Sequence, residues 1–128
     1  MIMNVNNISQ GYGDNLVIDD ISFTAESGEL LTILGPLIKT LCNVYKPKNG
    51  TICIDGKDIH AMEPMDLAKL IGYVPQSITN FGYSTVYDLV LIGRRPYVDW
   101  AYTSNDLGIA ADAMITMNVN AYIDKDVQ

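Results

Sequence analysis

Residues 30–46 read LLTILGPLIKTLCNVYK, and the fold turns on what joins the apolar run to the segment after it. Leu30, Leu31, Thr32, Ile33 and Leu34 form a short apolar stretch ended by Gly35-Pro36, the pattern of a buried parallel strand closed by a turn. Lys39-Thr40 follows, the pair that closes a phosphate-binding loop of the form G-x-x-x-x-G-K-[ST]. Only Pro36, Leu37 and Ile38 separate Gly35 from Lys39, and no glycine precedes the lysine. The residue types suggest the motif and the spacing withholds it.

Working outward, residues 37–45 place Leu37, Ile38, Leu41, Val44 and Tyr45 at the spacing of a one-sided helix, stopped by Pro47 and Gly50. Upstream, residues 1–9 alternate like a half-buried strand. Gln10-Gly11-Tyr12-Gly13-Asp14-Asn15 is a glycine-rich turn, and residues 16–25 resume an extended pattern. Downstream, Asp55-Gly56 between TICI and KDI is the strongest hairpin signal in the chain. Pro64 opens a short helix over 64–70, and residues 71–76 read as a strand running into a loop. Thr85 caps a helix reaching Arg94, with Val86, Leu89, Val90 and Gly93 on one face. Ser104 or Asn105 caps a last helix to Met117. The order predicts a mixed α/β layer with an antiparallel portion and a helical appendage.

The 128 residues are 48% hydrophobic, enough for one ordinary domain with its own core. A formal net charge of −7 with 18% charged residues excludes a general nucleic-acid binder, which carries a basic patch. It leaves room for a nucleotide, because a few local donors outweigh the global balance. Cys42 and Cys53 sit in apolar runs without a CxxC or a nearby histidine; reduced, buried thiols are the simpler reading than a disulfide or a metal site. No stretch reaches the roughly 20 apolar residues of a membrane span, and the N-terminus lacks the basic region of a signal peptide. The chain reads as soluble, or as the soluble part of something larger.

Taken in order, Gly11-Tyr12-Gly13, IDDISF, SGELLTILGP, LIKTLCNVYKPKNGTICIDGKDI and IGYVPQ resemble the nucleotide-binding domain of ABC transporters. TVYDLVLIGRRPYV looks most like the importers of iron-siderophore complexes, haem or cobalamin. IDGKDI and YVPQ are specific together and weak singly. The resemblance implies an α/β P-loop NTPase (ABC ATPase) fold: an antiparallel β portion, part of a RecA-like core and the start of a helical subdomain. It divides the chain at 78/79, with the β portion and ATP-binding core in 1–78 and the Q-loop exit and helical subdomain in 79–128. Lys39-Thr40 then matches the family's helix rather than its loop. The chain is accordingly expected to be an N-terminal half with the Walker A loop missing between Pro36 and Leu37, without the signature, Walker B and switch-histidine motifs. His60 does not match the switch position.

By the same resemblance Tyr12 stacks on adenine, Gly35 is the first glycine of the phosphate turn, and Gln76 is the Q-loop glutamine, reaching a Mg²⁺-bound water through its neutral amide. The plainer alternatives are a turn tyrosine, a strand-ending glycine and a surface-loop glutamine. Lys39 and Thr40 are expected on the helix surface. The implied cofactors are ATP and Mg²⁺, and the implied partners are a membrane permease, docked by residues 80–100, and a second nucleotide-binding domain as a homodimer. The implied place is the cytoplasm, peripheral on the inner face of the membrane. Two readings stand: an ATP-binding importer subunit for an iron chelate, haem or cobalamin, hydrolysis-incompetent in this form, or a non-enzymatic remnant that only docks to a permease.

Overall fold

Four strands build the first of two units, Met1–Ile71, in a computed structural model that describes residues 1–33, 35–76 and 85–126. β1 (Ile2–Tyr12) pairs antiparallel with β2 (Asn15–Glu26) and with β3 (Asn49–Ile54), and β4 (Lys57–Asp58) adds to β3. The sheet order is β2-β1-β3-β4. Strict alternation along β1 would send Val5 and Ile8 to opposite faces, yet both are buried in one core. A bulge reconciles them. Asn7 adopts φ 51° and the β1 register shifts between Val5 and Ile8, so one extra residue turns the second half of the strand over. Asn7 donates through Nδ2 to Asp20 Oδ1 at 2.7 Å, and Asp20 itself has φ 51°.

The core joins Val5, Ile8, Ile52 and Ile54 to Ile18, Ile59, Leu67 and the helix residues Leu37 and Leu41. α1 (Leu37–Leu41) is shorter than the expected 37–45. Asn43, at φ 57°, ends it, and Val44 and Tyr45 fold back to donate to the Lys39 carbonyl. The β3–β4 hairpin turns at Asp55 (φ 48°) and Gly56 (φ 79°), the two left-handed residues a tight primed turn requires. α2 (Pro64–Ala68) follows.

The expected buried parallel strand over 30–34 is not formed. Residues 29–33 carry no strand, and Leu30 is 97% exposed; Leu34 lies outside the described residues. The same holds for 71–76, also without strand structure. An apolar run becomes a strand only when neighbours satisfy its N–H and C=O groups, and no described strand pairs with either segment.

The second unit is Gly72–Gln128. Its α3 (Val86–Ile92) and α4 (Ser104–Thr116) each open on a capping box, from Thr85 with Asp88 and from Thr103 with Asp106. The α4 cap is thus Thr103, ahead of the expected Ser104 or Asn105. α3 packs on α4; Leu91 is buried, Val86, Leu89 and Val90 of the expected face are half-buried, and Ala110 and Met114 are buried on α4. Tyr87 Oη donates to the Leu107 carbonyl at 3.1 Å. The expected boundary at 78/79 lies outside the described residues. Among those described, no helix is long and apolar enough to cross a membrane.

Candidate nucleotide-binding site

The β1–β2 hairpin ends in a two-residue loop, Gly13-Asp14, between the paired Tyr12 and Asn15. Gly13 takes φ 54°, which glycine adopts at no steric cost. Gly11 is required for another reason. A Cβ there would meet Asn15 O at 1.9 Å and Leu16 Cα at 2.7 Å, so the two strands close up only because position 11 has no side chain. This close approach leaves Tyr12 at the tip with 64% of its surface exposed. A flat, accessible ring on a tightly built turn can stack on a planar base. The Lys48 ammonium donates to the Gly13 carbonyl, tying the loop to the segment that enters β3.

Gly35 has φ 94°, and nothing lies within 4 Å of where its Cβ would be. Pro36 then caps α1 in helical geometry. Leu37 is buried in the core, the Lys39 ammonium lies 5.5 Å above the Tyr45 ring, and Thr40 is fully buried. Thr40 therefore departs from the expected surface position: α1 turns it inward with Leu37 and Leu41. Its hydroxyl has no hydrogen-bond partner among the described residues. Lys39 thus lies exposed beside Tyr45, and Thr40 packs in the core.

Gln76 is exposed and belongs to the second unit, whereas Tyr12 and Gly35 belong to the first. His60 sits in a 3₁₀ turn, Ile59–Ala61, whose first N–H groups are capped by Asp58. Both cysteines are free and half-buried, and burial pushes the Cys42 thiol up. Among the described residues no group of three or more His, Cys, Asp or Glu could hold a metal ion. Within the first unit the Tyr12 ring is exposed and the backbone at Gly35 is open; in the second the Gln76 side chain is exposed.

In the second unit Arg94 Nε donates to Asp106 Oδ1 at 3.0 Å, with both side chains mostly buried. The Thr103 hydroxyl, the Thr103 N–H and then Arg94 hold the Asp106 carboxyl below the usual carboxylate range. Arg94 also lies 4.3 Å above the Tyr97 ring. This pairing left no sign in the sequence. Nothing in the RRP run distinguishes the arginine that folds inward.

A family model described as ABC transporter matches residues 18–128. The chain belongs to the ABC transporter family. The match spans the junction of Pro36 and Leu37 and reaches the last residue. It corrects the expectation of a partial N-terminal domain lacking its Walker A loop: nearly the whole chain is ATP-binding domain. An uncharacterized ABC transporter ATP-binding protein of Methanocaldococcus jannaschii is 35% identical over 95% of this chain and 50% of its own length. A hemin import ATP-binding protein of Thermobifida fusca is 29% identical over 94% of this chain and 45% of its own. The chain spans about half the length of the curated relatives it matches. Among solved structures, a nucleotide-free ATP-binding cassette from an ABC transporter superposes with a TM-score of 0.79 at 22% identity, covering 98% of this chain and 57% of that one. The fold is that of an α/β P-loop NTPase of the ABC type.

Proposed function

We propose that the protein is the ATP-binding subunit of an ABC importer of the metal-chelate class, its cargo an iron chelate, haem or cobalamin. The observation that carries the nucleotide reading is the exposed Tyr12 ring on a turn fixed by Gly11 and Gly13. In this reading Tyr12 holds the adenine, Gly35 is the first glycine of the phosphate turn, and Gln76 reaches Mg²⁺ through a bound water. ATP·Mg²⁺, when bound, supplies the phosphoryl-transfer chemistry that drives import. The cargo class rests on the resemblance of residues 85–98 (TVYDLVLIGRRPYV) to chelate importers and on the likeness to a hemin import protein.

The partners in this reading are a membrane permease and a second nucleotide-binding domain in a homodimer; the place is the cytoplasm, peripheral to the inner face of the membrane. Trp100, 99% exposed, and the exposed Ile92 and Arg95 support permease docking, since aromatic residues and arginine are enriched in protein interfaces. The same surface supports the second reading, a docking module that does not turn over ATP.

Titration of Mg·ATP into the wild-type chain and Tyr12→Ala tests the first reading. Loss of a base–aromatic stack costs about 1–3 kcal/mol, so the variant is expected to bind at least about fivefold more weakly. Equal affinity in the two proteins would overturn the role of Tyr12. Permease binding without any nucleotide binding would establish the docking reading instead.

A further inference from the structure

The β1–β3 ladder stops at Ser9 opposite Asn49, so residues 10–12 of β1 are paired only with β2. Tyr12 therefore stands on a strand end that has lost one of its two neighbours. One residue reaches across from the β3 side. Lys48 donates its backbone N–H to the Ser9 carbonyl at 2.8 Å and its ammonium to the Gly13 carbonyl. These two carbonyls bracket Gln10, Gly11 and Tyr12. In a chain of net charge −7, Lys48 makes no ion pair among the described residues, and its charge is directed at a backbone oxygen beside Tyr12.

We propose that Lys48 is a positioning residue for the base platform: its two-point grip on Ser9 and Gly13 fixes the height and tilt of the Tyr12 ring toward an adenine nucleotide. This rests on the reading of Tyr12 as that platform. A hairpin tip held from one side only frays, and an aromatic ring on a fraying turn loses binding energy to ordering on each encounter. The Lys48 hydrogen bond is charge-assisted and so stronger than a neutral one. It removes that ordering in advance.

The test uses the full chain, with amide hydrogen exchange and binding of a ribose-labelled fluorescent ATP analogue, on Lys48→Met, Lys48→Gln, Lys48→Arg and Tyr12→Ala. Lys48→Met is expected to speed exchange selectively at residues 10–16 and to weaken analogue binding about fivefold, the scale of one lost hydrogen bond. Lys48→Arg, which keeps charge and donor, restores both. Lys48→Gln, the milder change for folding, is expected to give a smaller loss in the same direction. The proposal is overturned if Lys48→Met and Lys48→Gln bind like wild type while Tyr12→Ala binds weakly. It is also overturned if exchange rises throughout the first unit rather than at the tip. If Tyr12→Ala itself binds like wild type, the platform reading fails, and this proposal goes with it.

Discussion

Gly11→Ala is the sharpest perturbation of the hairpin that carries Tyr12. The new methyl would lie 1.9 Å from Asn15 O and 2.7 Å from Leu16 Cα, both backbone atoms that no side-chain rotation can move aside. Reaching ordinary contact at 3.4 Å requires β2 to retreat by about 1.5 Å, which takes the ladder bonds nearby out of hydrogen-bonding range. Two rungs are affected, Gly11 with Leu16 and Tyr12 with Asn15. At about 1 kcal/mol for each rung, the tip opens at a cost of about 2 kcal/mol. Val5 and Ile8, the core residues of β1, lie earlier in the strand, and Ile18 of β2 is the core residue nearest the disturbed rungs. Urea unfolding should show a lower midpoint with little change in slope, and two-dimensional NMR should lose the cross-strand contacts of Gly11 and Tyr12 while keeping those of Met3 and Val5. Nucleotide affinity should fall with the tip. Intact contacts at Gly11, with a stability change below about 0.5 kcal/mol, would refute the close-approach argument, since that is the ordinary scatter of neutral surface substitutions.

Three further outcomes follow from the packing. Thr40→Val replaces a buried, unpartnered hydroxyl by a methyl of the same shape and should raise stability by about 1 kcal/mol in chemical unfolding; unchanged nucleotide affinity would accompany it, and lost affinity would show the hydroxyl to be a ligand. Ile52→Ala empties a fully buried site at the centre of the sheet core and should cost about 2–5 kcal/mol, read as a midpoint shift. The helical unit should lose stability in acid: Asp106 is held below its ordinary value of 3.8 by Thr103 and then Arg94, so its contribution is full above that value and disappears as pH falls through the lower folded one. Thermal melts should be level from neutral pH down to the ordinary carboxylate range and then fall, and Asp106→Asn should flatten that fall while lowering the neutral-pH melting temperature.

What the sequence disclosed was local, and what it concealed depended on distant neighbours. Asp55-Gly56 announced its hairpin because both residues tolerate positive φ, and they adopt 48° and 79°. Thr85 announced its helix because a capping box needs only residues three apart. The cap at Thr103 lay ahead of the expected Ser104 or Asn105, since Thr103, Ser104 and Asn105 are all competent caps and only Asp106 decides among them. The run 30–34 was as apolar as any buried strand, but pairing in a parallel sheet is set by segments far along the chain. The bulge at Asn7 left no pattern beyond an asparagine, and it reversed the inward face of β1. At the site, the glycines around Tyr12 were sufficient to place an exposed ring on a turn. The inward rotation of Thr40 and the reach of Lys48 to Gly13 come from tertiary packing of α1 and of the β3 approach, which no short-range spacing encodes.

Photolabelling with an azido-adenine ATP analogue, followed by peptide mapping, tests the nucleotide site most directly. Label confined to the peptide carrying Gln10 to Leu16, and displaced by unlabelled ATP, is the expected result. Label elsewhere in the chain, or label that excess ATP does not displace, would contradict the assignment of the adenine to Tyr12.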